Sequence, residues 1–205
     1  IMPKVAEEEF FLAATSAILS FIVVFGVVKA ISNYYAGAFA NKIGRKKLLI
    51  IGWIFGIPIP FILMYAPNWS WIIGANVLLG INQGLAWSST VVMKIDLIGE
   101  KNRGLAMGIN EFAGYLSIAI VALATGWIAD EYGIRPYPFY LGIAFVFIGL
   151  TLSIFFIKDT FKFTKQESVS SSIPELKNIF KEVTYKHKNI SSITQAGLVN
   201  NLNDG

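Results

Sequence analysis

Two long apolar segments flank a short basic loop, and this arrangement restricts the chain to folds that cross a membrane. The loop from Lys42 to Lys47 places four cations within six residues. A helix rises about 1.5 Å per residue, so the segments beside it, 10–36 and 48–65, can each cross a hydrocarbon core about 30 Å thick. Basic short loops remain on the cytoplasmic side of a membrane. The loop therefore predicts a membrane bundle and its orientation.

The composition agrees with a membrane protein and excludes several other classes. Hydrophobic residues make up 55% of the 205 residues and charged residues only 15%, whereas a soluble domain interrupts its apolar runs with charge far more often. The chain has no cysteine and one histidine, so we expect neither disulfides nor a metal site. The net charge of +4 is not accompanied by an aromatic-lined basic groove, so we expect no nucleic-acid partner.

The sequence predicts an all-α membrane protein with five transmembrane helices. Each predicted span has roughly 18 to 27 residues, enough to cross a bilayer with some tilt. Tryptophan and tyrosine residues collect at the boundary opposite the basic loop, where amphipathic rings prefer to lie. A multi-pass protein of the cell membrane is expected, with loops 41–47, 94–104 and 158–193 in the cytoplasm. The predicted spans are residues 10–36, 48–65, 71–93, 105–129 and 137–157.

The chain divides into a bundle, a linker and the start of a further span. Residues 1–157 form the predicted bundle, and residues 158–193 form a polar linker with seven lysines and four acidic residues. Within the linker a short amphipathic helix is predicted, a flexible basic tether being the alternative. Residues 194–205 are expected to begin the next span. The helix prediction depends on a capping pattern and on apolar residues at helical spacing: Ser172, Pro174, Glu175, Leu176, Ile179, Phe180 and Val183.

Polar residues are concentrated in the first, third and fourth predicted spans, whereas the second and fifth contain no charge. Lys29 and Gln83 lie about 16 to 18 Å from the cytoplasmic edge, and Asn33 and Glu111 about 12 Å. A charge at mid-depth costs roughly 2.5 to 3.5 kcal/mol on insertion scales, so it should face a polar interior or a partner. Three spans are therefore predicted to line a polar pathway. Its candidate residues are Lys29, Asn33, Asn82, Gln83, Asn110 and Glu111.

Four of these candidates have an alternative role. Lys29 either contacts a substrate or coupling ion, or forms a permanent ion pair with Glu111. Glu111 is alternatively a carboxylate that takes up a proton. Asn82 and Gln83 either bind substrate or form hydrogen bonds between helices. Lys94 and Asp96 are interpreted as boundary residues at the end of the third span.

A weak internal repeat relates the two ends of the bundle. The pattern of Gly, Ala and a polar residue in Gly37 to Arg45 recurs in Gly126 to Arg135, with the same spacing between its glycines. The first copy is predicted inside the cell and the second outside. Inverted repeats of three spans are typical of secondary transporters.

The basic loop resembles the motif between helices two and three of the major facilitator superfamily. That motif reads Gly, three residues, Asp, Arg or Lys, one residue, Gly, Arg, then Arg or Lys. Asn41 stands where the motif has Asp. By this resemblance the five spans correspond to helices two to six of the N-terminal half, so the first helix, the C-terminal half and the lipid bilayer are expected partners. The matching positions are Gly37, Lys42, Gly44, Arg45 and Lys46.

The resemblance implies a secondary active or facilitative transporter, a symporter or antiporter, that moves a small solute by alternating access. In the family the loop stabilises the outward-open state through charge contacts with a neighbouring helix and the other half. Arg45 retains its part of these contacts, and Asn41 lacks the charge. Lys29 favours an anionic solute, and protons are the candidate coupling ion.

Two departures from the family's drug and proton antiporters make drug efflux less expected and leave uptake or exchange of a small organic solute or anion open. Gly80 occupies the place of their fourth-helix Arg, and Gly114 to Gly126 lacks their Pro. A receptor or scaffold of transporter-like fold is the rival function. No enzyme, catalytic residue or cofactor is expected, because the one histidine, His187, lies in the linker and Glu111 is the only embedded carboxylate.

Overall fold

A computed structural model of the chain describes residues 1–98, 100–161 and 180–203, and helices account for most of these residues. No strand occurs in the described ranges, and the predicted all-α fold is confirmed. The helices are α1 (Met2–Glu8), α2 (Ala14–Ile43), α3 (Arg45–Gly56), α4 (Pro58–Tyr65), α5 (Trp69–Ile98), α6 (Arg103–Tyr132), α7 (Phe139–Phe155) and α8 (Lys188–Asn203), with a 3-10 turn at Glu100–Asn102 and a π-helical turn at Glu182–Lys186.

The chain forms two compact units, residues 1–164 and 165–205. The first contains α1 to α7, and the second contains the π-helical turn and α8. Most of the predicted amphipathic helix, from Ser172 to Ile179, lies outside the described residues. Helix α8 begins at Lys188, before the predicted start of the next span at residue 194. The linker and its cytoplasmic location remain predictions.

Each of the five predicted spans coincides with helical structure in the first unit. Among the residues that the structure describes, three stretches are both long and apolar enough to cross a membrane: Thr15–Ala40, Arg45–Tyr65 and Arg103–Tyr132. Helix α7 is apolar but has 17 residues. Helix α5 has 30 residues but is not among these stretches, and it buries the polar side chains of Asn76, Asn82 and Ser89. It contacts α2, α3, α4 and α6, and so lies at the centre of the unit.

Several boundaries differ from the prediction. Helix α2 begins at Ala14 rather than Phe10, after a positive φ of 52° at Phe11. It ends at Ile43, well past the predicted end at residue 36, because polar residues at a membrane surface do not stop a helix. Met2 to Glu8, which precede the first predicted span, form helix α1. Proline at the first turn is compatible with that helix.

The second predicted span is broken at Ile57. Pro58 and Pro60 predict this interruption, because each lacks the amide that a continuous helix needs. Helices α3 and α4 lie on the two sides of the break. Near it, Asn82 of α5 donates a hydrogen bond of 2.8 Å to the carbonyl of Gly52. The span is therefore interrupted just before the two prolines, and it is attached to the central helix by this hydrogen bond.

Glycines in α5 allow α2 to approach closely. A Cβ built at Gly84 would lie 2.4 Å from the Cβ of Ser32, and one at Gly80 would lie 2.9 Å from the Cβ of Val28. Small residues permit such contacts in membranes, where van der Waals packing contributes much of the attraction between helices. The contact places Lys29 of α2 next to this face of α5.

The two copies of the internal repeat end their helices in the same way. Helices α2 and α6 each have 30 residues and are followed by Gly44 and Gly133, whose φ values are 91° and 99°. The amide of each glycine donates a 3.0 Å hydrogen bond to an alanine carbonyl, that of Ala40 or Ala129. Glycine suits both positions because other residues rarely adopt a positive φ. The repeat is thus visible in backbone geometry as well as in sequence.

Replacing Gly84 with alanine should lower the stability of the bundle. The new methyl group would overlap the Cβ of Ser32 and would lie within 3.2 Å of backbone atoms of Asn33 and Lys29. Overpacking of this kind costs about 1 to 3 kcal/mol. Gly74→Ala in the same helix is the matched control, because nothing lies within 4 Å of its new methyl group. Equal unfolding free energies of the two variants in detergent would contradict the packing described here.

Candidate functional site

A cavity of about 550 Å³ in the first unit is lined by side chains from α2, α5 and α6. It brings together Lys29, Gln83 and Glu111, three predicted pathway residues from three separate helices. Aromatic and small residues complete the lining: Trp87, Gly114, Tyr115, Ser117 and Ile118. The cavity thus combines one cation, one carboxylate, one amide and two large aromatic rings.

Lys29 and Glu111 face the same cavity without pairing. In the part of the chain that the structure describes, no ion pair joins these two residues. The ammonium of Lys29 lies 5.3 Å from the ring centroid of Phe25, a distance at which the ring attracts a cation. The permanent ion pair considered above is therefore not formed in this conformation. Both charges are available to a third group in the cavity.

Asn110 connects Glu111 to a lysine on the neighbouring helix. The side chain of Asn110 is buried, and its amide lies 3.4 Å from Oε1 of Glu111, to which it donates. Its oxygen accepts a hydrogen bond from the ammonium of Lys94. Lys94, interpreted from sequence as a boundary residue, therefore contacts a pathway residue. The connection between α5 and α6 is short, so it holds these helix ends close together. This short connection is the feature of the sequence that could have predicted the contact.

Two other predicted pathway residues form contacts between helices outside the cavity lining. Oδ1 of Asn33 accepts a 2.7 Å hydrogen bond from the hydroxyl of Ser88, which joins α2 to α5. Asn82 is buried and bonds the carbonyl of Gly52. For Asn82 this is the interhelical role that the sequence left open. Neither side chain is placed to contact a solute in the cavity.

The loop motif joins three helices at one end of the bundle, which we call the motif end. The guanidinium of Arg45 pairs with the carboxylate of Asp96 on α5, and the two side chains are only 7% and 4% exposed. The ammonium of Lys46 donates a 2.9 Å hydrogen bond to the carbonyl of Ile154 in the last turn of α7. Cations are favourable there because the carbonyl end of a helix is negative.

Asp96 is the functional candidate that sequence reasoning missed. It was interpreted as a boundary residue at the end of the third span. Its carboxylate instead pairs with the guanidinium of Arg45 in the loop motif. Removing one member of a buried ion pair leaves an uncompensated charge, which destabilises strongly. The Arg45–Asp96 pair therefore fixes the motif end of α3 to α5 in this conformation.

The remaining motif residues lie around this ion pair. Gly37 lines a cavity of about 40 Å³ together with Arg45. Lys42 is exposed. The side chain of Asn41 lies outside what the structure describes. The ring of Phe161 packs on Gly44, since a Cβ built there would lie 3.2 Å from Cδ2 of Phe161. The turn between α2 and α3 is thus in contact with the segment that follows α7.

A second arginine cluster lies at the end of the bundle opposite the motif. Arg135 pairs with the carboxylate of Glu9 and donates hydrogen bonds to the carbonyls of Leu63 and Ala66, at 3.3 and 3.2 Å. Its guanidinium also lies 5.3 Å from the ring centroid of Phe10. Burial lowers the pKa of Arg135 from its ordinary value, yet arginine remains charged in proteins. The cluster ties the segment after α1 to the end of α4.

Comparison with known proteins agrees with this architecture. The family model described as Major Facilitator Superfamily matches residues 1–197. The chain is 31% identical over 154 residues to multidrug resistance protein MdtG of Salmonella arizonae, covering 73% of this chain and 37% of that protein. It is 25% identical over 154 residues to multidrug resistance protein 2 of Bacillus subtilis, covering 75% of this chain and 38% of that protein. The chain therefore spans less than two fifths of the length of these relatives.

Both of these relatives are named multidrug resistance proteins, whereas Gly80 and the missing Pro make drug efflux the less expected function from the sequence. The family is one of transporters rather than enzymes, and its members are multi-pass membrane proteins, as the sequence predicted. Because the family model covers nearly the whole length, the chain belongs to the Major Facilitator Superfamily.

Proposed function

We propose that this chain forms part of a secondary active or facilitative transporter and that the cavity between α2, α5 and α6 is its solute pathway. The convergence of Lys29, Gln83 and Glu111 on one cavity carries this proposal. Charges at membrane depth are costly, and those that occur usually mark substrate or ion pathways. The first helix and the C-terminal half are the proposed partners that complete the alternating-access machine.

The cavity lining favours a small organic solute with an anionic group. Lys29 supplies the positive charge for that group, and Gln83 supplies both a donor and an acceptor. Trp87 and Tyr115 offer flat apolar surfaces to the rest of the molecule. The names of the multidrug resistance relatives are consistent with such mixed chemistry, and export is one direction that this site would serve.

Glu111 is the proposed site of proton coupling. It is the carboxylate of the cavity, and Asn110 holds it in place from its buried position. A proton on Glu111 would remove a negative charge that faces Lys29. Solute binding and proton binding at this site would therefore influence each other, as reciprocal coupling requires. Symport and antiport differ only in the direction of that influence.

The Arg45–Asp96 pair is proposed to act as a conformational latch. We place loops 41–47 and 94–104 in the cytoplasm, together with 158–193, because the basic loop follows the positive-inside rule. The latch would then hold the cytoplasmic ends of α3 and α5 together during part of the transport cycle. Alternation between discrete arrangements of packed elements is how such proteins switch.

Flux through the full-length protein tests the proposed function. In proteoliposomes we expect uptake or exchange of a small organic anion first identified by a thermal-shift screen. A receptor or scaffold of the same fold would give no flux for any solute class and would instead bind a specific partner. That outcome would overturn the transporter proposal.

Replacing Lys29 with alanine should reduce flux of the anion roughly tenfold or more, because a charge-assisted hydrogen bond contributes about 1.5 to 3 kcal/mol. Lys101→Ala is the matched control, since Lys101 is exposed and does not line the cavity. Both variants should remain folded in the membrane, as measured by gel-filtration profile. Normal flux in the Lys29 variant would remove that residue from the pathway.

Replacing Asp96 with asparagine should destabilise the protein by about 3 to 5 kcal/mol, because the buried guanidinium of Arg45 would lose the carboxylate of Asp96. Asp130→Asn provides the matched control. Its partner Lys4 lies 3.6 Å away, but these two side chains are 60% and 77% exposed, and exposed pairs contribute about 1 kcal/mol or less. Equal effects on unfolding, measured by chemical denaturation in detergent, would argue against a buried latch.

A further inference from the structure

The first unit contains an apolar groove of about 620 Å³ that the transport proposal does not use. Its walls come from α2 and α3, and its floor comes from α5. Tyr35 and Phe39 form part of one wall, and their rings stack with centroids 6.1 Å apart. Ile51 and Phe55 form part of the other wall. The side chains of Tyr35, Phe39 and Phe55 are exposed, so nothing in the described residues covers the groove.

Each wall carries a lysine at the motif end. On α2, Lys42 lies three residues beyond Phe39 and therefore one turn farther along the same face. On α3, Lys47 lies four residues before Ile51 and one turn before it on the same face. Both lysines are exposed, and neither has an ion-pair partner among residues 1–98, 100–161 and 180–203. Two cations thus stand on the two sides of one end of an apolar groove.

The groove has the length of one membrane leaflet. Its lining on α2 runs from Ile31 to Ile43, which is about 18 Å of helix at 1.5 Å per residue. Half of a hydrocarbon core about 30 Å thick is about 15 Å. When the lysines lie at the membrane surface, the aromatic part of the groove therefore ends near mid-membrane. An anionic phospholipid has its charge at the membrane surface and its acyl chains towards mid-membrane. Its headgroup therefore lies level with the lysines and its chains lie level with the apolar groove.

We propose that this groove binds an anionic phospholipid, with an acyl chain along Tyr35, Phe39, Ile51 and Phe55 and the phosphate between Lys42 and Lys47. A protein helix would fill the apolar part equally well but would leave two cations unpaired at the mouth. An anionic headgroup supplies the opposite charge there, and each lysine near a membrane surface contributes roughly a fivefold gain in affinity for such lipids. Charge complementarity therefore selects the lipid.

The proposed lipid would bridge the turn that the loop motif forms. Lys42 and Lys47 lie on the two sides of Gly44, where α2 ends and α3 begins. A phosphate bound to both lysines would fix the relative position of these helix ends beside the Arg45–Asp96 pair. This inference depends on the groove and its two lysines and not on the identity of any transported solute.

Native mass spectrometry of the full-length protein tests the proposal. The protein is extracted from bilayers of equal parts phosphatidylglycerol and phosphatidylcholine, and the ratio of the two retained lipids is measured. The double variant Lys42→Gln, Lys47→Gln should lower the preference for phosphatidylglycerol about thirtyfold. The control double variant Lys101→Gln, Lys158→Gln removes two exposed lysines outside the groove and should leave it unchanged. Equal preferences in the two double variants would overturn the proposal.

A second measurement locates the lipid in the protein with both lysines intact. In a full-length protein without other cysteines, Ile51→Cys can carry a single bimane fluorophore on the groove wall. Brominated phosphatidylglycerol should quench this fluorophore more strongly than brominated phosphatidylcholine does. Equal quenching, or efficient disulfide cross-linking of Ile51→Cys to a cysteine in another segment of the protein, would show that the groove holds no specific anionic lipid.

Discussion

The contact between α2 and α5 is the interaction on which the other features depend. Gly80 and Gly84 remove the side chains that would keep the two helices apart, and Val28 and Ser32 occupy the space. In a bilayer this fit matters greatly, because lipid tails are as apolar as the helix surfaces and burial alone gives little driving force. The close approach places Lys29 of α2 and Gln83 of α5 on one cavity. It also sets the depth at which α5 presents Asp96 to the loop motif.

Each end of the bundle has an arginine–carboxylate ion pair, and the two pairs differ in how deeply they are buried. At the motif end Arg45 is paired with Asp96, and both side chains are almost completely buried. At the opposite end Arg135 pairs with Glu9 and also bonds the last carbonyls of α4, but it is more exposed. Matching glycine turns precede both arginines. The two copies of the repeat thus end beside arginine ion pairs of unequal burial.

The sequence predicted the helices and the three charged or polar residues that share the cavity. It was less successful in predicting which side chains form hydrogen bonds and ion pairs with one another. Depth counting from the basic loop placed Lys29, Gln83 and Glu111 within about 6 Å of one another in depth, because a helix rise is constant. It could not show that Asn82 bonds a backbone carbonyl of α3, since that depends on how closely two helices approach. Asp96 and Lys94 were missed for the same reason. The apolar groove could not be predicted either, because its lining residues on α2, α3 and α5 come together only in the folded chain.

Thiol labelling in intact vesicles tests the central claim, that the cavity is a solute pathway, most directly. In a full-length protein without other cysteines, Gln83→Cys should react with a membrane-impermeant thiol reagent, because Gln83 lines the cavity. The transported anion should slow this reaction. Phe147→Cys on the apolar surface of α7 should remain unreactive, since charged reagents do not enter the hydrocarbon core. An unreactive Gln83→Cys, or a reaction rate unaffected by the solute, would contradict the account.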